Sequence, residues 1–144
     1  MFFLKTLPTQ AMVKRYSDDY SDGNADIISN RLKTLREYSL LIRAIDEYFA
    51  SHGLSQLRFL VLMVIDREAE RDSLYAHEVA DRLDVSKPVL SRAIKKLIEQ
   101  SYLHSEKDSK DSRASTLSIT KQGSDKLASV LPGYFQILTE EPSE

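Results

Sequence analysis

The sequence predicts a mainly α fold with a small β-hairpin, an α+β arrangement within one domain. Two observations predict it. Apolar residues recur at helical spacing through most of the 144 residues. One stretch, residues 102–119, instead contains two short strand-like runs around a polar loop. A chain of this length can bury about 68–70% of its unfolded surface, which is enough for a hydrophobic core.

Composition excludes several classes of protein. Apolar residues make up 42% of the chain and charged residues 29%, so the chain does not resemble a disordered segment. There is no cysteine, which excludes disulfides and cysteine metal sites. The apolar run at the start, broken by Pro8, is too short for a signal peptide, and nothing approaches the ~20 apolar residues of a membrane span. We therefore expect a cytoplasmic protein without a membrane partner.

The first elements are an N-terminal arm or short helix at residues 1–24 and a long helix at residues 25–52. Met12, Val13 and Tyr16 would share one side of the short helix, which the polar run at residues 21–24 ends. The long helix repeats an apolar residue at every seventh position: Ile28, Leu35, Ile42 and Phe49. With its flanking apolar residues this band is wider than a two-stranded coiled-coil seam, so it must pack on more than one neighbour. Gly53 can supply the left-handed residue that ends the helix.

Residues 54–123 are predicted to form the central region. Ser55 would cap a helix whose buried face is marked by four residues: Leu57, Leu60, Val61 and Val64. The unbroken apolar run at residues 60–65 further predicts that this helix is core on nearly all sides. Leu74 and Tyr75 would add a short strand to the sheet of the hairpin. A short helix then follows, and its apolar face is formed by Ala76, Val79, Ala80 and Leu83.

A helix at residues 86–100 follows a brief turn, with Ser86 as its N-cap and Pro88 in the first turn, where proline loses no hydrogen bond. Its two faces differ. The inner face is apolar and comprises Leu90, Ala93, Ile94, Leu97 and Ile98. The outer face is short, polar and mostly basic and comprises Pro88, Ser91, Arg92, Lys95 and Glu99, with Val89 and Lys96 at one margin. An ordinary solvated helix would show the same pattern, so this helix alone does not indicate a function.

A hairpin comes next, with strands at residues 102–105 and 115–119 and with Leu117 and Ile119 facing inward. The loop between the strands has no apolar side chain larger than alanine and contains three cations, Lys107, Lys110 and Arg113. A helix-turn-helix followed by a basic hairpin predicts a winged helix-turn-helix. In such a fold the second helix enters the major groove of DNA, while the hairpin, or wing, contacts the backbone or the neighbouring minor groove.

Three segments in order resemble the MarR (multiple antibiotic resistance regulator) family of bacterial transcription factors. Residues 84–92 resemble the family's entry into the recognition helix, and residues 108–114 resemble its wing motif, an aspartate two residues before an arginine. Residues 118–123 resemble the Leu-Thr-x-x-Gly that closes the wing and opens the next helix. The sequence departs from the family at Ser101, where glycine is usual, and at Ser105, where arginine is common.

The resemblance implies a homodimeric, sequence-specific regulator that binds a near-palindromic site on double-stranded DNA and has no cofactor. The long helix and a C-terminal segment at residues 124–144 would form the dimer interface, flanking the winged region. In that segment a helix at residues 125–131 is predicted to be interrupted at Pro132 and Gly133. An apolar cluster then follows, comprising Tyr134, Phe135, Ile137 and Leu138, and the chain ends in acidic, frayed residues.

We expect DNA contacts from twelve residues of the second helix and the wing: Ser86, Lys87, Pro88, Val89, Ser91, Arg92, Lys95, Lys96, Lys107, Lys110, Asp111 and Arg113. By the resemblance, Arg113 would reach the minor groove, oriented by Asp111. Arg92 and Lys95 would contact bases or phosphates. Residues 82–126 hold ten Lys/Arg and six Asp/Glu, a net charge of +4, whereas the rest of the chain carries −6. This asymmetry suits an anion-binding surface on an acidic body.

The family often binds a small aromatic effector between the dimer helices and the winged region, and Tyr48, His52 and Arg58 lie in the corresponding segments. The three histidines have no metal-ligand spacing, and no catalytic motif is present, so neither a metal site nor an enzyme is predicted. The alternative is a winged-helix module that binds protein rather than DNA.

Overall fold

A computed structural model of the protein describes residues 4–140. These residues form helices α1 to α6 and strands β1 to β3 in chain order: α1 Gln10–Tyr20, α2 Ala25–Ser51, α3 Gln56–Asp66, β1 Leu74–Tyr75, α4 Ala76–Ala80, α5 Lys87–Glu99, β2 Leu103–Lys107, β3 Ser115–Ile119 and α6 Lys121–Thr139. This confirms the mainly α fold with a small β-hairpin. The described residues fall into two compact units, one made of residues before 46 and after 136, and the other of Asp46–Gln136.

In the first unit, α1 is a helix rather than an irregular arm. Its N-cap is Thr9, whose hydroxyl accepts a hydrogen bond from the Met12 N–H at 3.3 Å. Of the three apolar residues predicted to share a side, only Val13 is buried, and Met12 and Tyr16 are about half exposed. Gln10 ties α1 to α2, because its amide donates to Asp26 and accepts from Ser29, each at 2.8 Å.

The part of α2 in the first unit exposes large apolar side chains. Ile27 is 61% exposed, Leu35 is 52% exposed and Ile42 is 44% exposed. Leu35 and Ile42 belong to the predicted seventh-residue repeat. A wide apolar band that stays exposed in a single chain is a candidate for contact with another surface.

In the second unit, α2 ends as predicted. Gly53 has φ +72, and the N–H groups of Gly53 and Leu54 bond to the carbonyls of Ala50 and Phe49 at 3.1 and 2.9 Å. This pair of bonds is a Schellman motif, in which a left-handed residue satisfies the last helical carbonyls. The buried Phe49 side chain then stacks on Phe59 with ring centroids 4.5 Å apart.

The buried face of α3 differs in part from the prediction. Ser55 caps the helix, accepting from the Arg58 N–H at 3.2 Å, and Val61 and Val64 are buried. Leu57 and Leu60 are only half-buried, whereas the fully buried residues also include Phe59, Leu62 and Ile65. The helix packs on α5, α4 and β3. Its buried residues therefore cover more of the helix surface than the predicted face of four residues, and that buried surface is centred elsewhere on the helix.

The sheet has the strand order β1-β3-β2, and both pairs are antiparallel. The predicted short strand is confirmed, since Leu74 pairs with Leu117 and Tyr75 with Thr116. β3 has the predicted bounds, and β2 begins one residue later and ends two residues later than predicted. Leu74, Leu103 and Leu117 are buried, which fixes the inner face of the sheet.

The predicted interruption at Pro132 and Gly133 is wrong, because α6 continues through both residues. Proline removes the bond to the carbonyl four residues earlier, but Ala128 is exposed and water can reach that carbonyl. The Tyr48 hydroxyl donates to the Val130 carbonyl at 2.8 Å. Gly133 makes room for this contact, since a Cβ atom there would lie 2.3 Å from the Tyr48 hydroxyl oxygen.

The apolar cluster after Pro132 separates into two kinds of side chain. Tyr134 packs inside the second unit, with its ring centroid 4.8 Å from that of Phe59. Phe135 and Leu138 are 54% and 44% exposed. The predicted fraying of the acidic end falls on residues 141–144, outside the described residues.

Among the described residues no single helix is both long and apolar enough to cross a membrane, although α2 and α3 taken as a bent pair meet that criterion of length and composition.

Candidate nucleic-acid interface

The helix-turn-helix consists of α4, a turn at residues 81–86, and α5. Val79 is the buried anchor of α4, and Ala80 and Leu83 are half-buried. Ala76 is exposed, which corrects its predicted place on the apolar face. Ala76 is the first residue of α4, and a helix of only five residues does not bury its first residue against the core.

The inner face of α5 packs as predicted except at its C-terminal end. Leu90, Ala93 and Leu97 are buried, and Ile94 is half-buried. Ile98 is 39% exposed, so its predicted place on the buried face is wrong. It lies in the last turn, where the helix reaches the edge of the core.

Ser86 is the N-cap residue, with φ −69 and ψ 151, and Pro88 stands in the first turn. The Ser86 hydroxyl makes no capping hydrogen bond to the helix, although its carbonyl accepts from the Leu90 N–H at 3.0 Å. Free N–H groups at the start of a helix attract anions such as phosphate. The start of α5 therefore keeps its donors available.

The outer face of α5 is exposed along its whole length: Ser86, Lys87, Pro88, Val89, Ser91, Arg92, Lys95, Lys96 and Glu99. Lys96 lies 3.9 Å from Glu99, but both side chains are more than half exposed, so this pair is weak. Within residues 4–140 the side chains of Lys87, Arg92 and Lys95 form no salt bridge. Their charge is available to an external anion.

α5 ends at a residue with a left-handed backbone. Ser101 has φ +63, and the N–H groups of Ser101 and Tyr102 bond to the carbonyls of Ile98 and Leu97 at 3.0 and 2.9 Å. This is the same Schellman motif that ends α2, with serine where glycine is favoured. Ser101, which stands where the family usually has glycine, therefore has a backbone conformation that glycine adopts more easily.

Gly123, the last residue of the wing-closing motif, allows a close backbone contact. A Cβ atom at this position would lie 2.2 Å from the carbonyl oxygen of Tyr102. The Thr120 hydroxyl bonds the Ser101 carbonyl at 2.6 Å and accepts from the Gly123 N–H at 3.0 Å. Together these contacts fix the start of α6 against the end of α5.

The wing loop is residues 108–114, between β2 and β3. The Asp108 N–H bonds the Ala114 carbonyl at 3.0 Å and closes the loop. Asp111 accepts from the Arg113 N–H through its carboxylate at 3.0 Å, so it orients the backbone that carries Arg113. No salt bridge joins the two side chains within the described residues. Arg113, Lys110 and the adjacent Lys107 are all exposed.

One wing contact was not predicted. The hydroxyl of Tyr75 in β1 donates to the Asp108 carboxylate at 2.8 Å. This hydrogen bond raises the pKa of Tyr75 and lowers the pKa of Asp108. The two residues are 33 positions apart, so only the strand order brings them together.

The three residues assigned to an effector make bonds within the second unit. Tyr48 bonds Val130, and its ring centroid lies 4.4 Å from that of His52. His52 Nδ1 lies 2.8 Å from the Tyr48 carbonyl. Arg58 bonds the Gly53 carbonyl at 3.0 Å and the Gln100 side chain at 2.6 Å, which links the start of α3 to the end of α5. Each therefore has a structural role, and a ligand role stays a prediction.

The helix-turn-helix, the wing formed by β2 and β3, and the third strand β1 in the same sheet define a winged helix-turn-helix protein. A family model for the MarR family matches residues 52–114, the region that contains α3, α4, α5 and β2. The HTH-type transcriptional repressor YetL of Bacillus subtilis is 25% identical over 132 residues, which cover 92% of this chain and 78% of YetL. The chain is therefore similar to the MarR family, most clearly over its winged helix-turn-helix region.

Solved structures show the same fold. AbsC, a MarR family transcriptional regulator from Streptomyces coelicolor, superposes with a TM-score of 0.70 at 20% identity, covering 80% of this chain and 76% of AbsC. Sco3205 from the same organism, a MarR family regulator solved in complex with DNA, superposes with a TM-score of 0.72 at 18% identity. That match covers 83% of this chain and 73% of Sco3205.

Proposed function

We propose that this protein is a transcriptional regulator, a repressor, that binds double-stranded DNA through α5 and the wing. The observation that carries the proposal is the exposed outer face of α5, where Lys87, Arg92 and Lys95 have no salt-bridge partner within residues 4–140, followed by a wing with three exposed cations, Lys107, Lys110 and Arg113. Exposed cations without partners on the protein can neutralise phosphates and release counterions from DNA. The complex of Sco3205 with DNA supports this reading, because the two proteins share a fold.

Along α5, residues differ in what they can contact. Arg92 and Lys95 are long cations that can reach the guanine edge in the major groove. Ser86, Lys87 and Ser91 lie in the first turns, where hydroxyl, ammonium and free N–H groups suit phosphate oxygens. The exposed Val89 can meet a thymine methyl group. Pro88 and Lys96 flank this surface.

In the wing, Arg113 is the proposed minor-groove residue. Asp111 holds the backbone at Arg113, so it acts by orienting that residue rather than by contacting DNA. Lys107 and Lys110 add attraction to the phosphate backbone without sequence preference.

We further propose a homodimer. The exposed apolar residues of α1 and α2 support it, because a monomer seldom exposes so many large apolar side chains on neighbouring elements. Two recognition helices related by a two-fold axis would read a near-palindromic site with half-sites about 34 Å apart. The proposed location is the cytoplasm, where bacterial DNA lies.

A small aromatic effector remains part of the proposal, with Tyr48, His52 and Arg58 as the candidate contacts. These residues connect the end of α2 to α3, α5 and α6. A ligand that displaced the bond from Arg58 to Gln100 would loosen the attachment of α5 to α3. A series of aromatic carboxylic acids that leaves the melting temperature and the DNA affinity unchanged would remove the support for this part.

The test is DNA binding measured by fluorescence anisotropy across a series of salt concentrations. Arg113→Ala and Arg92→Ala should each weaken binding, and Lys87→Ala, which removes a proposed phosphate contact, should also lower the slope of log K against log salt by about 0.9. The control is Lys14→Ala, which removes the same charge from α1, where Lys14 pairs with Asp18. It should leave both the affinity and the slope nearly unchanged.

The rival function, a winged-helix module that binds protein, gives a different result. In that case the wild-type protein would bind duplex DNA weakly, and Arg92→Ala would weaken binding no more than Lys14→Ala does. This outcome would contradict the proposed regulator.

A further inference from the structure

We propose that Tyr75 is a positioning residue for the wing: its hydroxyl holds Asp108 and thereby sets the place of the loop that carries Arg113. The consequence for DNA rests on the proposed function, but the ordering of the loop does not. Tyr75 lies in β1, and Asp108 begins the wing loop directly after β2.

Asp108 is the residue at which the hydrogen bonds of the loop meet. One carboxylate oxygen accepts from the Tyr75 hydroxyl at 2.8 Å, and the other accepts from the Lys110 N–H at 3.2 Å. Its own N–H bonds the Ala114 carbonyl at 3.0 Å across the loop. Within residues 4–140, the Tyr75 bond is thus the one link that ties this network to a strand other than those of the hairpin.

Tyr75 is itself held on several sides. It pairs with Thr116 in the sheet, and its N–H donates to the Glu78 carboxylate at 3.3 Å. Glu78 is fixed in turn by two hydrogen bonds from Arg71, at 3.0 and 2.9 Å. The Tyr75 ring stacks on His77 with centroids 5.4 Å apart and planes 12° apart. The phenol is therefore a rigid support.

The loop needs such a support because it has no packing of its own. None of residues 108–114 is buried, so hydrogen bonds rather than apolar contacts order them. Ordering a flexible loop on binding costs conformational entropy, and a loop ordered in advance avoids part of that cost. Losing the Tyr75 bond should therefore weaken the contact of Arg113 with DNA without removing any group that touches DNA.

The experiment compares Tyr75→Phe with the control Tyr102→Phe. Each variant removes one hydroxyl from a half-buried tyrosine of the same unit, and the Tyr102 hydroxyl makes no hydrogen bond among the described residues. Two readouts do not depend on DNA: hydrogen exchange at the Asp108 and Lys110 amides, and the rate of trypsin cleavage after Lys110 and Arg113. The third readout is affinity for a selected duplex.

In Tyr75→Phe, exchange and cleavage in the loop should rise and DNA affinity should fall about two- to tenfold, the range for loss of one hydrogen bond. Tyr102→Phe should leave all three unchanged. In an Asp108→Ala background, Tyr75→Phe should have no further effect, because the acceptor is already gone.

Unchanged exchange and cleavage in Tyr75→Phe would overturn the proposal, and so would a looser loop with undiminished DNA affinity. Failure of the proposed function looks different, since the wild-type protein itself would then bind no duplex.

Discussion

Replacing Ser101 with glycine should stabilise the protein. Ser101 ends α5 with φ +63, a left-handed conformation that glycine adopts without the clash between Cβ and the backbone. The Ser101 side chain is exposed and makes no hydrogen bond within the described residues. Its carbonyl accepts from the Thr120 hydroxyl, and this backbone bond survives the substitution.

The magnitude follows from two opposing terms. A side chain in the left-handed region costs about 1–2 kcal/mol. Glycine also lowers the free energy of unfolding by about 0.4–1 kcal/mol, because an unfolded chain with glycine loses more conformational entropy on folding. The difference is a gain of about 0.5–1 kcal/mol in the free energy of unfolding for Ser101→Gly. At about 2–4 °C per kcal/mol, the melting temperature should rise by a few degrees at most.

The chain contains its own matched control in Gly53, which ends α2 in the same Schellman motif with φ +72. A Cβ atom added at Gly53 would meet nothing within 4 Å, so Gly53→Ala tests the backbone conformation without a steric clash. It should lose about the amount that Ser101→Gly gains. Urea unfolding at one fixed protein concentration measures both, with the slope m unchanged.

A lower unfolding free energy for Ser101→Gly, with Gly53→Ala behaving as expected, would contradict a net backbone strain at Ser101. Serine at the end of α5 would then make a stabilising contact that outweighs its backbone strain. If neither variant changes the free energy of unfolding, the left-handed backbone at the two helix ends costs a side chain less than expected.

Three other predictions follow from the second unit. Leu97→Ala should lower the free energy of unfolding, measured in urea, by about 2–5 kcal/mol, because this α5 side chain is fully buried in the core. A decrease below about 1 kcal/mol would contradict the packing. Gly133→Ala should cost about 1–3 kcal/mol through the clash with Tyr48, although alanine favours helices, and the cost should shrink in a Tyr48→Ala background. The hydrogen bond from Tyr75 is the main cause that lowers the pKa of the Asp108 carboxyl. The ionised carboxylate therefore stabilises the folded protein at pH values above the ordinary Asp pKa, and this stabilisation is lost as the pH falls through the lowered pKa. A carbon-detected NMR titration should show the Asp108 midpoint below the usual range and show it rising in Tyr75→Phe; an unchanged midpoint would contradict the assignment.

Local patterns predicted most of the fold. The caps at Ser55 and Ser86 and the glycine at position 53 mark helix ends through short-range backbone chemistry, which a sequence displays directly. The hairpin strands followed from alternation and from the polar loop between them. These features need only neighbours along the chain.

The errors concern features that depend on distant contacts. α6 continues through Pro132 and Gly133, and Tyr48, more than 80 positions earlier, bonds the Val130 carbonyl there and packs on Gly133. Helical periodicity also cannot tell how closely other elements surround each part of a helix. For that reason Leu57 and Leu60 on α3 are less buried than predicted, and Ile98 at the end of α5 is exposed.

The candidate interface was predicted as a set of residues but not as a set of contacts. The wing motif identified Arg113 and Asp111, and the structure adds that Asp111 bonds the backbone of Arg113 rather than its guanidinium. The Tyr75–Asp108 bond could not be predicted, since a tyrosine before a short helix has no pattern that points to a loop 33 residues away.

In the proposed complex, the outer face of α5 and the wing contact one DNA duplex. Selection of bound sequences from a pool of random duplexes tests it most directly. We expect enrichment of an inverted repeat whose half-sites lie about one helical turn apart, with preference relaxed at one position of each half-site in Arg92→Ala. A bound pool with no common sequence, or the same repeat selected unchanged by Arg92→Ala and Arg113→Ala, would contradict the claim.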